Sequence, residues 1–192
     1  MLIGITGGIG SGKSTILRVI AEQGYPVYDC DAQAKRIIAE NESVRRQMTD
    51  LFGAQVYENG IYQTQYVAGL VFADPDKLAR LNAIVRPAVA EDVRRWSAGQ
   101  PLAFVESAIL VSSGMSGLCD AVVSITAPEQ VRVERVLHRA AEQGQTITAE
   151  QVRARIRSQM QNEQHADLTI VNDGKTPVSV LADQLIQYTQ TI

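Results

Sequence analysis

Cysteine, histidine, net positive charge and long apolar runs are all scarce in this chain of 192 residues, and each shortage removes a class of protein. Cys30 and Cys119 are the two cysteines; they lie far apart, without the paired spacing of a disulfide framework or a zinc site, and are expected to be small packed residues. His138 and His165 have no metal-ligand spacing either, and a surface position or a packing role is expected for both. The formal net charge of −3 creates no global pull toward duplex DNA or an anionic membrane, so any polyanion must bind at a local site. No stretch nears the ~18 apolar residues of a membrane span. The opening MLIGIT has neither the basic start nor the long apolar centre of a secretory signal. A cytoplasmic protein is expected, with neither nucleic acid nor membrane as partner. There is no internal repeat and no low-complexity tract. What remains is 45% apolar and 20% charged residues, which suits one compact domain with insertions.

Periodicity divides the chain. MLIGIT reads as a strand, and KSTILRVIAEQGY as a helix with Ile16, Leu17, Val19 and Ile20 at helical spacing, stopped at Gly24. YPVYDCD, residues 25–31, reads as a second strand, followed by helical periodicity through residues 32–52. After a turn at Asn59-Gly60 the chain is again mostly helical to residue 98, with breaks expected at Pro75 and Pro87. PLAFVES, DAVVSIT and DLTIVND are short apolar runs of the kind found in buried parallel strands. Polar, arginine-rich helices separate the last two, and TPVSVLADQLIQYTQ reads as a terminal helix packed on the sheet. Strands alternating with helices predict an α/β fold with right-handed crossovers and a parallel sheet flanked by helices.

The strongest chemical signal is GITGGIGSGKST at residues 4–15, where Gly7, Gly12, Lys13 and Ser14 match G-x-x-x-x-G-K-[ST] between a strand and a helix. Glycines let backbone N–H groups turn inward around phosphate oxygens, and the helix adds its positive N-terminal end. Lys13 is placed to reach the β- and γ-phosphates, and Ser14 to ligate Mg²⁺. A nucleoside triphosphate is the expected ligand. A guanine-reading N-K-x-D is absent, and the D-x-x-G match in DLFG, residues 50–53, ends a helical stretch and is read as chance.

Asp29 and Asp31 are two apart; in extended chain both would point to one side at the carboxyl end of a strand. Asp31 is the candidate to orient an acceptor hydroxyl and take its proton, although either acid could instead cap the following helix. Glu106 closes the strand LAFVES, where a carboxylate can hold Mg²⁺ through water or can cap the next element. Six of the fourteen arginines fall between Arg132 and Arg157, interleaved with glutamates as on a solvated helix face. A phosphoryl-transfer enzyme also needs arginines on a mobile flap, and Arg139 is the candidate for that duty.

In order and spacing, ITGGIGSGKST, DCDAQAKRI, LVFADPDKLARLNAIVRPAV, FVESAIL and IVNDG resemble the dephospho-CoA kinase family over nearly the whole chain. The resemblance implies ATP-dependent phosphorylation of the ribose 3′-hydroxyl of dephospho-CoA on a P-loop core with a five-stranded parallel sheet. It implies a core of residues 1–31, 99–128 and 166–192, a helical CoA-binding insertion at 32–98 and a small helical lid at 129–165. By motif match Lys13, Asp31 and Arg139 take catalytic positions, and Gly10, Ser11, Gly12, Lys13, Ser14 and Thr15 form the ATP loop. Asn172 falls in the loop around adenine, and Ser14 and Glu106 are the Mg²⁺ candidates.

The sequence departs from the family pattern on the acceptor side, with Arg86 where a histidine is usual, Thr64 near a usual arginine, and Ser112 in place of an acid. Ala140 stands where an aspartate commonly follows the lid arginine, and QMQNEQHAD is shorter than usual. ATP binding is expected to survive these changes. The residues alone leave open another small-molecule or nucleoside monophosphate kinase, or a nucleotide-binding regulator that hydrolyses ATP slowly.

Overall fold

The computed structural model describes residues 1–159 and 166–192. His165 and the end of the 129–165 segment therefore lie outside the described residues. The chain divides into two compact units, Met1–Tyr28 with Gly99–Ile192, and Asp29–Ala98.

The first unit is built on a five-stranded sheet. Its strands are β1 (Leu2–Thr6), β2 (Val27–Asp29), β5 (Ala103–Glu106), β6 (Ala121–Thr126) and β7 (Leu168–Val171), in the order β2-β5-β1-β6-β7. β1 pairs in parallel with β5 and β6, and β6 with β7. Every residue of β1 is buried, which is why it reads as an unbroken apolar run: helices cover both faces of a parallel sheet. Ile3, Ile5, Phe104, Val123 and Ile125 of the sheet share one core with Ile16, Leu17 and Ile20 of α1 (Lys13–Glu22) and with Leu181 and Leu185 of α8 (Val178–Thr189). A smaller cluster, Val133, Val136, Val152 and Ile156, joins α6 (Glu129–Glu142) to α7 (Ala149–Gln159) and takes in Ile9.

The second unit holds α2 (Cys30–Glu40), α3 (Glu42–Phe52), the hairpin β3 (Tyr57–Glu58) and β4 (Ile61–Tyr62), α4 (Thr64–Phe72) and α5 (Pro75–Ser97). Val44, Met48 and Phe52 of α3 and Val85, Val89 and Val93 of α5 recur at helical spacing and are buried. Arg36 of α2 pairs with Asp92 of α5 at 2.7 Å.

Four expectations need correction. β2 ends at Asp29, so residues 30–31 are helical rather than extended. Residues 32–52 form two helices because Asn41 leaves helical geometry and its side chain accepts from the Val44 N–H, capping α3. Pro75 does mark a boundary, standing at the first turn of α5 behind the Asp74 cap, but Pro87 lies inside that helix without ending it. A proline there forfeits one helical hydrogen bond; burial of Val85, Val89 and Val93 along one face holds the helix across the gap. The Asn59-Gly60 turn, in turn, closes a two-stranded hairpin that the helical reading passed over.

Candidate functional site

The loop between β1 and α1 is shaped by what surrounds it. Gly12, at φ 90°, precedes the first helical residue and has no side chain to cap α1, so no side chain takes up the N–H groups of its first turn. A Cβ on Gly12 would strike Asn172 Nδ2, and one on Gly10, at φ 77°, would come within 2.6 Å of the Arg132 carbonyl oxygen. These two positions accept glycine alone, because both the backbone angle and the space exclude a side chain.

Lys13, the first residue of α1, is buried, and its ammonium donates to the Gly7 carbonyl at 2.7 Å and to the Gly8 carbonyl at 3.4 Å. It thus lies folded across the loop. Ser14 is exposed one residue later and donates to Glu106 Oε1 at 3.5 Å. Sheet register explains that meeting: Glu106 stands opposite Ile5 in the parallel pairing of β1 with β5, so the strand's last residue arrives beside the loop. The two residues expected to hold Mg²⁺ are therefore brought together. Among the described residues no group of three or more His, Cys, Asp or Glu forms a metal cage. A hydroxyl and one carboxylate suit Mg²⁺, which keeps several waters and draws other ligands from substrate phosphates.

Side chains from the far end of the chain enclose the loop on its outer side. Buried Arg132 of α6 donates from Nε to the Ile9 carbonyl at 2.9 Å. Arg135, one turn later, donates from Nη1 to the carbonyls of Gly10 at 3.3 Å and Ser11 at 3.2 Å, and from Nη2 to Asn172 Oδ1 at 2.8 Å. Asn172, just past β7, is 3% exposed and donates from Nδ2 to the Ser11 carbonyl at 3.0 Å. Gln159 of α7 accepts from the Ile9 N–H at 2.7 Å. Arg132, Arg135 and Gln159 were not among the expected site residues. One signal for them was available: Arg132 lies one turn before Val136 on an apolar helix face, where a solvated arginine does not belong.

The remaining candidates lie on separate elements. Thr15 is exposed on α1, and Arg139 is exposed in the last turn of α6. Asp31 is exposed in the first turn of α2, in the second unit. Asp29 and Asp31 do not share one side of an extended strand as expected. Asp29 is the N-cap, its Oδ1 accepting from the N–H groups of Asp31 at 2.9 Å and Ala32 at 3.0 Å, because a strand that turns directly into a helix leaves those donors without partners. Arg86 and Thr64 belong to the second unit, in α5 and at the start of α4, and Ser112 lies in the turn after β5, donating to the Ile109 carbonyl at 3.3 Å.

Comparison with known proteins agrees with this architecture. The family model described as dephospho-CoA kinase matches residues 1–177. A dephospho-CoA kinase of Porphyromonas gingivalis is 38% identical over 192 aligned residues, covering 99% of this chain and 93% of that protein. A crystal structure of a Thermus thermophilus protein is 32% identical, covers 100% of this chain and 96% of its own, and superposes with a TM-score of 0.79. The dephospho-CoA kinase from Campylobacter jejuni, 18% identical with a TM-score of 0.68 over 98% of this chain and 95% of its own, shares the fold. With the loop, the sheet order and both sequence matches in accord, the chain belongs to the dephospho-CoA kinase family.

Proposed function

We infer that the protein transfers the γ-phosphoryl group of ATP to the ribose 3′-hydroxyl of dephospho-CoA, giving coenzyme A and ADP. The observation that carries this is a phosphate-binding loop of the family's pattern in a chain that matches the family model over residues 1–177. The new bond joins the 3′-oxygen to the γ-phosphorus, the bond from that phosphorus to the β,γ-bridging oxygen breaks, and the hydroxyl proton leaves.

Each residue's role follows from its chemistry. Residues 10–15 bind the triphosphate through backbone N–H groups and the N-terminal end of α1. Lys13 neutralises charge on the β- and γ-phosphates, a shift from the Gly7 carbonyl that a long flexible stem permits. Asp31 orients the acceptor hydroxyl and accepts its proton late, as a loose transition state requires. Arg139, on the 129–165 lid, neutralises charge on the transferring group. Asn172 serves the adenine end of the nucleotide site. Ser14 and Glu106 would hold Mg²⁺, Glu106 through water. When bound, Mg²⁺ draws negative charge from the phosphate oxygens. The 32–98 insertion supplies walls for the bulk of dephospho-CoA. A cytoplasmic location fits an ATP-consuming reaction, and the net charge of −3 gives no reason to add a nucleic acid as partner.

The test is ADP release with dephospho-CoA, AMP, CMP and shikimate offered separately. Dephospho-CoA is expected to be the one acceptor that raises the rate above the acceptor-free level. Stimulation by AMP, CMP or shikimate in its place would overturn the assignment, and no stimulation by any of them would end the kinase reading.

A further inference from the structure

The peptide joining Gly8 to Ile9 is held at both of its polar ends. Its carbonyl accepts from the Lys13 ammonium at 3.4 Å, beside the 2.7 Å bond to the Gly7 carbonyl, and its N–H donates to Gln159 Oε1 at 2.7 Å. A peptide unit is planar and trans, so its C=O and N–H point to opposite sides and fixing one fixes the other. A hydrogen bond on the N–H also polarises the unit and makes its carbonyl a better acceptor. Local sequence does not supply this order. Gly7, Gly8 and Gly10 flank the peptide, and glycine leaves the backbone more freedom than any other residue. The restraint comes from α7 instead. Gln159 follows Val152 by seven positions and Ile156 by three, which puts it on the helix face that those two bury. The Ile9 side chain packs against the same cluster of Val133, Val136, Val152 and Ile156, so Ile9 is seated by its side chain as well as by its N–H.

We propose that Gln159 is a positioning residue for Lys13: by holding the Ile9 N–H it sets the Gly8–Ile9 peptide, whose carbonyl, with that of Gly7, fixes the ammonium inside the phosphate loop. It acts through the backbone rather than by touching the nucleotide. The proposal rests on the reading of Lys13 as the cation at the β- and γ-phosphates. A lysine ammonium is a point charge with three donors on a flexible stem, so the acceptors around it decide where it sits. Without the Gln159 oxygen the peptide turns on its glycine flanks. Lys13 then loses the fixed acceptor from which it reaches the phosphates.

The test is Q159M, which keeps the length of the side chain and removes the acceptor, read by nuclear magnetic resonance and by steady-state kinetics. The chain has four lysines, so in protein carrying labelled lysine the two Hε signals of Lys13 are assignable against K13R. An ammonium held in one place keeps those two signals apart. In nucleotide-free Q159M they are expected to draw together, while Lys35, Lys77 and Lys175 do not change. In the same variant kcat/KM for ATP should fall about fivefold, the net worth of one hydrogen bond, with the KM for dephospho-CoA unchanged. Unaltered Lys13 signals overturn the proposal, and so does unaltered kcat/KM for ATP. An equal rise in the KM for dephospho-CoA would mean a general loosening and overturns it too. Should Q159M fold poorly, the wild-type Ile9 amide decides: it is expected to exchange with solvent at least about tenfold more slowly than in an unstructured peptide, and unprotected exchange ends the proposal. If wild-type protein does not phosphorylate dephospho-CoA, the functional reading fails, while the Lys13 signals still show whether Gln159 holds the lysine.

Discussion

Asp31 and Asp29 show how two identical side chains two positions apart acquire different work. Both are exposed, but Asp29 spends its carboxylate on the N–H groups of Asp31 and Ala32, while Asp31 stands in the first turn of the helix that this cap begins. A capped helix start also fixes the backbone of Asp31, so the proposed base stands on a rigid element. Asp31→Asn keeps size and helix compatibility but removes the proton acceptor. It is expected to lower kcat by about 10²-fold or more, the usual worth of a positioned general base, while ATP affinity measured by calorimetry stays within about twofold. Lost ATP affinity with unchanged kcat would remove Asp31 from proton transfer. The D-x-D spacing was legible in the sequence, but the division of labour was not: it depends on where β2 stops, and the alternation of a three-residue strand is too short to show its end.

At the scale of elements, α5 is the instructive case. Its start is written locally, with Asp74 accepting from the N–H groups of Asp76 and Lys77 and Pro75 at the first turn. Its continuity past Pro87 is not, because local propensity argues for a break there and only the buried valine face argues against one. The cost of an interior proline, ~3 kcal/mol, exceeds the ~1 kcal/mol that proline gains by restricting the unfolded chain. Pro87→Ala is therefore expected to stabilise the protein by about 1–2 kcal/mol in urea unfolding, as an N–H at position 87 becomes available to the helix. Unchanged or reduced stability would show that the helix has already relaxed around the ring.

At the scale of the whole molecule, burial decides the chemistry of the thiols. Cys30 is 4% exposed. Burial, with Asp120 nearby, pushes the Cys119 thiol up to about 12 from an ordinary 9.0. A thiol that ionises less readily when folded stabilises the protein fully below its unfolded value, and that contribution is lost as pH rises from about 9 toward 12. At pH 8 Cys119 presents almost no thiolate, and Cys30 is too deeply buried to meet a reagent. A disulfide-exchange reagent is expected to titrate close to zero thiols in native protein and both after denaturation in guanidinium. Rapid native reaction of either cysteine would contradict the packing described for it.

Much of the nucleotide loop was determined by sequence alone, because its signal is local: glycines where side chains cannot fit, a lysine and a serine at set spacing, an apolar strand before and an amphipathic helix after. Family membership was legible for the same reason, as short motifs kept their order along the chain. The grip on the loop was decided by tertiary structure alone. Arg135 and Asn172 meet Ser11 across 124 and 161 positions of sequence, a juxtaposition that exists because β6 pairs in parallel with both β1 and β7. The carbonyls they hold belong to the backbone, which carries no residue-specific letter, and so an arginine that reads as surface charge in one dimension becomes part of the phosphate site in three.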